Sequence, residues 1–231
     1  MYGGEKLGRL ISIASFLVLA VVLIVASGCG GGGTTGEPQE LAPVEVREYE
    51  DVKLSPVDDF RENSIAGPQN IDVDGYQLKI TGLVENPQNY TYDEVIDNHQ
   101  HYEKVVTLNC VEGWSVTILW EGVLLRELLA GLEPLSTAKV VIFHAYDGYT
   151  TSLPLDYIMG KDIIMAYKMN GIALPLERGF PFELVAESKW GYKWIKWITE
   201  IELSDNVDYH GYWESRGFSN TADMDNGFLG E

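Results

Sequence analysis

The stretch KVVTLNCVEGWSVTILWEGVLLRELL, residues 104–129, sets the architecture of the chain. KVVTLNC is β-branched and apolar and reads as a strand, and SVTILWEGV reads as a second strand beyond the Gly113-Trp114 turn. LLRELLAGL changes to helical spacing and stops at Gly131, ahead of Pro134. Cys110 stands where the first strand ends, and it is one of only two cysteines in 231 residues. A lone thiol at such a point is either a small buried hydrophobe or a metal ligand or nucleophile.

The other cysteine, Cys29, indicates where the chain works. Lys6 and Arg9 precede an apolar run from Leu10 to Val25, and Ala26-Ser27-Gly28-Cys29 follows, a basic, apolar and small-residue order typical of an export signal. Ala26 to Cys29 is similar to a lipobox, in which the cysteine carries lipid and becomes the first residue. An uncleaved anchor is the alternative, since the run approaches the roughly 18–20 residues that span a bilayer. Residues 1–28 are therefore expected to be a signal peptide or membrane anchor. Residues 29–57, Gly-rich and then Pro/Glu-rich, are expected to be a flexible tether, and 58–231 a single domain held at a membrane outside the cytoplasm. With Cys29 used for lipid, Cys110 has no partner for a disulfide.

Removing 28 residues leaves 203, enough for one sizeable core, and 45% hydrophobic with 11% aromatic residues indicate a globular domain. A formal charge of −19 argues against nucleic acid and against charge-driven binding to anionic lipid. It also disfavours long-range attraction of an anionic substrate.

Farther out, YQLKITGLV (76–84) alternates as a half-buried strand, and YTYDEVIDN reads as a short helix with Thr91 as its cap. KVVIFHA and GYTTSLP are strands, and Leu155 to Met159 a short helix. Asn170-Gly171 divides two strand-like runs, a strong hairpin signal, and FPFELVAES and WITEIELS supply the last strands. Strands outnumber short helices, so the fold class is α+β, with mixed β-sheets. The chain has no phosphate loop, no G-x-G-x-x-G, no G-x-S-x-G and no H-E-x-x-H. His99 and His101 form an H-x-H that reads as a solvated turn or a metal pair.

DFRENSIAGPQNID, YQLKITGLVENP, the quoted stretch, FHAYDGYTTSLPL, RGFPFELVAESKWGYKWIKWITEIEL and GYWESRGFS follow one another from about Asp59 to Asp223. In that order they resemble the molybdopterin-binding domain shared by sulfite oxidases and the catalytic subunit of periplasmic methionine sulfoxide reductase. The resemblance implies the sulfite-oxidase-type fold, molybdenum-molybdopterin as cofactor, and Cys110 as the protein ligand to the metal. A soft thiolate suits a metal that cycles between oxidation states while the pterin dithiolene supplies the other sulfurs, and nearby N–H donors and cations should favour the thiolate. The pterin ends in a phosphate, so amides and cations should face it: Gly191 would let the backbone approach closely, and Lys193, Trp194, Ile195 and Lys196 would line the cofactor. Asn63 resembles the asparagine that contacts it, and Arg178 would contact the phosphate or pterin.

Two departures from the family pattern stand out. Glu183 occupies a position where the family carries a cation, and Glu112 and Trp114 stand where sulfite oxidases place arginines soon after the ligand cysteine. The second departure points to a neutral, S-oxide-like small-molecule substrate over sulfite. Glu112 or Tyr149 could supply or accept a proton. The chain carries no haem motif, so a separate membrane redox partner, haem- or quinone-linked, is implied. Glu183, together with a leader that lacks paired arginines, leaves open a second function class, a cofactor-free binding lipoprotein that keeps the fold.

Overall fold

The computed structural model describes residues 43–230. The expected leader, Cys29 and the tether as far as residue 42 lie outside the described residues. A small hairpin, β1 (Glu48–Tyr49) and β2 (Val52–Lys53), precedes the main sheets. Then come β3 (Leu78–Gly82), β4 (Gln88–Tyr90), α1 (Tyr92–Asp97), β5 (His101–Asn109), β6 (Ser115–Leu124) and α2 (Leu125–Ala130). The second half holds β7 (Val140–Ala145), β8 (Thr150–Pro154), α3 (Leu155–Gly160), β9 (Ile164–Met169), β10 (Ile172–Ala173), β11 (Glu183–Val185) and β12 (Ile198–Ser204). The fold is thus α+β, with mixed sheets and short helices.

One sheet runs β10-β9-β6-β5, with β11 added on β9, and the other runs β4-β3-β12-β7-β8. Every pairing in them is antiparallel except β12 with β3. Between β5 and β6 the ladder extends from His101↔Val123 to Asn109↔Ser115, so Cys110 falls one residue beyond its last rung. Trp120, Phe143, Tyr167, Phe182 and Trp197 fill the core. α2 buries Leu125, Leu128 and Leu129, the i, i+3, i+4 face; each side chain removed from water contributes roughly 1.5–3 kcal/mol. Thr91 caps α1 in a reciprocal capping box with Glu94.

Asn170 and Gly171 turn the β9–β10 hairpin with φ of 48° and 78°, the left-handed pair that a two-residue turn of this kind demands. Asn170 is also fully buried. Its amide donates to Glu45 Oε1 (3.0 Å) and Ser55 O (2.9 Å), and its Oδ1 accepts from Leu119 N–H (3.0 Å). This corrects the expected domain start. Residues 45–57, read as tether from their Pro/Glu content, are tied down by Asn170 and by burial of Leu54 and Val57. His99 and His101 meet the backbone oxygens of Val95 and Ile96, at 2.9 and 2.8 Å. No cluster of His, Cys, Asp and Glu suited to a metal ion occurs among the described residues, and no helix among them is long and apolar enough to cross a membrane.

Candidate cofactor and active site

Cys110 is held by the turn that closes the β5–β6 hairpin. Its N–H donates to Trp114 O (2.9 Å), and its carbonyl accepts from Gly113 N–H (3.0 Å). The thiol is free and half-buried. A 3-10 turn, Gly191–Lys193, packs against the same backbone: a Cβ at Gly191 would come within 3.2 Å of Asn109 O and 3.5 Å of Cys110 Cα. Gly191 thus allows close approach, as its type suggested, and the neighbour the structure shows is the Cys110 segment itself.

Asn63 arrives from the N-terminal strap and points its amide at Cys110 Sγ, at 3.6 Å. Arg178 holds that strap down. Its guanidinium donates to Val57 O (3.0 Å), Phe60 O (2.6 Å) and Arg61 O (3.3 Å) and stacks on the Phe60 ring, with Cζ 3.7 Å from the centroid. Three backbone carbonyls therefore occupy much of the fork that the sequence had offered to the phosphate or pterin.

These groups face a cavity of about 510 Å³, within the usual range for small-molecule and cofactor sites. Asn63, Cys110, Glu112, Tyr149, Arg178 and Gly191 all contribute to its wall, as do Trp194, Ile195 and Lys196. Lys193, the remaining site residue named from the sequence, is not among the lining residues. It is wholly buried, donating to Glu214 Oε1 (2.5 Å) and Ser152 O (2.9 Å), with Asn220 Oδ1 at 3.4 Å. Burial pulls its ammonium below the ordinary lysine range, against the pull of Glu214. Lys196 does reach the cavity wall, but its Nζ is bonded to Glu62 Oε1 (2.6 Å) and Glu177 O (3.2 Å).

Around the thiol, burial outweighs the donors. The Cys110 pKa is pushed up, chiefly by desolvation, although a backbone N–H bond at Glu112 and the Asn63 amide oppose the shift. The expected bias toward thiolate is therefore absent in the metal-free chain, and a metal must displace the proton as it binds. Glu112 behaves oppositely. Hydrogen bonds from Asn63, the Trp114 indole (3.3 Å) and Arg61 (3.3 Å) hold its carboxyl below the usual range. It is a carboxylate able to accept a proton and a poor donor of one. Tyr149 gives its O–H to Tyr192 O (2.5 Å), and burial raises its pKa well above the phenolic norm, so it stays a neutral phenol.

Phe60 and Arg61 in the wall escaped the sequence reading, although both lie within three residues of Asn63 in DFREN. Phe60 lies 5.9 Å from Trp114, centroid to centroid, making an aromatic edge to the cavity.

Residues 65–213 match the oxidoreductase molybdopterin binding domain. The chain belongs to that family. It is 31% identical over 157 residues to the uncharacterized oxidoreductase YuiH of Bacillus subtilis (strain 168), covering 68% of this chain and 78% of that one. It is 32% identical over 147 residues to the protein-methionine-sulfoxide reductase catalytic subunit MsrP of Xanthomonas campestris pv. campestris, covering 57% of this chain and 46% of that subunit. The crystal structure of the sulfane dehydrogenase SoxCD from Paracoccus pantotrophus shares the fold, with a TM-score of 0.62 and 20% identity over 83% of this chain and 59% of that one. The chain thus spans less than two thirds of the MsrP subunit and of the SoxCD chain. Family membership decides between the two function classes left open: the protein is an oxidoreductase, and its cofactor is molybdenum-molybdopterin.

The residues present fit that group at one end. A sulfur donor with an amide aimed at it, on the wall of a cavity of suitable size, is what a dithiolene-bound metal needs. The cationic end is less simple, because Arg178 and Lys196 are already bonded within the protein and Glu183 shares their wall.

Proposed function

We propose that the protein is an extracytoplasmic, membrane-tethered enzyme that transfers an oxygen atom, and that its substrate is a neutral S-oxide in preference to sulfite. The observation that carries this reading is the pair of groups beside Cys110. Arg61 Nη1 and Glu112 Oε2 lie 3.3 Å apart in the cavity wall, a cation and an anion that cancel while offering one donor and one acceptor. A dipolar, uncharged S–O group suits that mouth. A dianion would gain no net attraction from that cancelled pair and would meet a protein of net charge −19 beyond it.

In this reading Cys110 Sγ holds the metal, and the Asn63 amide donates to that sulfur, tempering its charge. When bound, the cofactor supplies the two-electron redox change that oxygen-atom transfer requires. Phe60 and Trp114 cover the apolar part of the substrate, and the Glu112 carboxylate receives a proton where one is released. Asn63 and Cys110 keep their register because Arg178 fixes the strap and Gly191 admits the 3-10 turn. The Lys6 to Cys29 order supports tethering by lipid at Cys29, and the absence of a haem motif in the sequence supports a haem- or quinone-linked partner at the membrane.

The test is the ratio of specificity constants for a methyl sulfoxide and for sulfite, with artificial electron carriers in each direction, on protein purified with its molybdenum. We expect the sulfoxide to be favoured, and more so at low ionic strength, since screening acts beyond roughly 10 Å at 0.1 M salt. Faster sulfite oxidation would overturn the substrate assignment. Intact mass of the native protein tests the lipid tether: a mature chain that does not begin at a lipidated Cys29 would exclude it, and one that keeps residues 1–28 would favour the uncleaved anchor.

A further inference from the structure

Glu183 is the least expected member of the cavity wall. It opens β11, opposite Ala166 of β9, and is 4% exposed. Among the described residues neither of its carboxyl oxygens has a hydrogen-bond partner; what faces them is the cavity. The charged groups acting on it are Lys196 and Arg178. Lys196 packs close, since a Cβ at Gly179 would lie 3.1 Å from both Glu183 Cβ and Lys196 Cβ. Each cation is already engaged elsewhere: Lys196 with Glu62 and the Glu177 carbonyl, Arg178 with three backbone carbonyls. Asp58, Glu62 and Glu177 add negative charge around Arg178, and Ala166 across the ladder adds none. A buried carboxyl without a partner in a cofactor cavity is costly unless a ligand satisfies it or it is neutral.

We propose that Glu183 meets the anionic end of the cofactor as a neutral carboxylic acid, donating its O–H to the phosphate beside Arg178 and Lys196, so that a cavity holding the carboxylate must take up one proton to load. This rests on the reading of the cavity as the cofactor site. A carboxylate facing a phosphate would be repelled at short range, whereas a carboxylic acid supplies the hydrogen-bond donor that the two engaged cations lack. Burial raises Glu183 to about 8, with Lys196 and Arg178 opposing the rise, so the acid form already prevails at neutral pH. Loading is then insensitive to this group below pH 8 and weakens above it. One proton bound per cofactor corresponds to about a tenfold loss of affinity per pH unit.

The experiment uses the holoenzyme and reads cofactor content. Wild type and Glu183→Gln are equilibrated between pH 6.5 and 9.5 and desalted, and bound molybdenum and pterin are measured by mass spectrometry and by fluorescence after oxidation. Glutamine keeps the shape and an N–H donor but cannot ionise, while Cys110 and the phosphate titrate alike in both proteins. We expect both to retain cofactor at pH 6.5. The ratio of wild-type to Glu183→Gln retention should then fall about tenfold per pH unit above pH 8, because the proton that Cys110 releases on metal binding is common to both proteins and cancels in the ratio. Circular dichroism at each pH confirms that loss is not unfolding. In metal-bearing protein, a ratio of wild-type to Glu183→Gln retention that stays constant from pH 6.5 to 9.5 would overturn the proposal alone. Wild type free of molybdenum and pterin even at pH 6.5 would overturn the cavity's assignment as well.

Discussion

Two glutamates line the same cavity and have opposite chemistry. Glu112, on the exposed turn after Cys110, is surrounded by donors from Asn63, Trp114 and Arg61 and is held as a carboxylate. Glu183, at the start of a buried strand, has no donor among the described residues and is pushed up to about 8 by burial. The residue type is the same and the cavity is the same; burial, and the number of N–H groups aimed at each carboxyl, decide its proton. The cavity therefore has a sulfur end, where negative charge is bonded and tolerated, and a buried end, where it is not.

The largest effect is expected from breaking the sulfur end alone. Cys110→Ser replaces a soft donor by a hard one at nearly constant shape, and should abolish molybdenum-dependent turnover while the far-UV circular dichroism stays that of wild type. Activity retained in the serine variant would remove Cys110 from the metal and leave Asn63 without its proposed purpose.

A comparable loss, in stability, is expected just outside the cavity. Lys193 and Lys196 lie three residues apart in WGYKWIKWI, yet Lys193 is sealed in an ion pair with Glu214, whose Oε2 is buried without a partner among the described residues, while Lys196 stands in the cavity wall. Lys193→Met leaves the Glu214 charge buried and uncompensated, which should cost about 3–5 kcal/mol in urea unfolding at pH 7. Lys196→Met should cost clearly less, because Glu62 is partly exposed and water can replace the lysine. Equal losses would mean that the two lysines are not separated as described.

Lys193 also marks where the sequence stops being informative. The β5–β6 hairpin, the Thr91 cap, the Asn170-Gly171 turn and the position of Cys110 were legible because each is governed by neighbours in sequence: alternation, a capping box, a left-handed turn pair. What was not legible depends on distant groups. Lys193 and Lys196 carry the same side chain in one short segment, and only distant groups, Glu214 21 residues away and the Ser152 carbonyl 41 away, withdraw the first from the cavity. Residues 45–57 have the composition of a linker, and only groups more than a hundred residues on, the buried Asn170 amide and the Arg178 guanidinium, with the burial of Leu54 and Val57, make them part of the domain. Glu183 could be seen as a departure from the family pattern, but its lack of donors follows from which carbonyls Arg178 had already engaged.

A smaller effect is expected at the buried end, in cofactor-free protein. Because the folded-state pKa of Glu183 is raised, its contribution to stability is intact below the unfolded carboxyl range and is lost as pH rises through about 8. Glu183→Gln should therefore match wild type near pH 4 and exceed it progressively up to pH 8, by a few kcal/mol at most. The difference in urea midpoint as a function of pH measures this directly. A constant difference from pH 4 to 9 would show that folding leaves the Glu183 pKa where it is in the unfolded chain, and would erase its contrast with Glu112.

The smallest effect separates two roles for Glu112. Glu112→Gln keeps a side chain that can still accept from Trp114 and Arg61, but it removes the charge that cancels Arg61, and the mouth becomes cationic. If Glu112 acts through charge on substrate choice, the specificity constant for sulfite should rise several-fold at low salt and fall back toward wild type above roughly 0.1 M, where surface fields are screened. The constant for a methyl sulfoxide, which carries no charge, should change by less than about twofold, since Coulomb attraction to a neutral dipole is weak. If instead the Glu112 carboxylate must receive a proton during turnover, both substrates should slow together, by about 10²–10⁴-fold, and salt should not restore them. A common loss with no salt dependence would move Glu112 from the mouth's electrostatics into the reaction itself and would leave Arg61 facing the substrate alone.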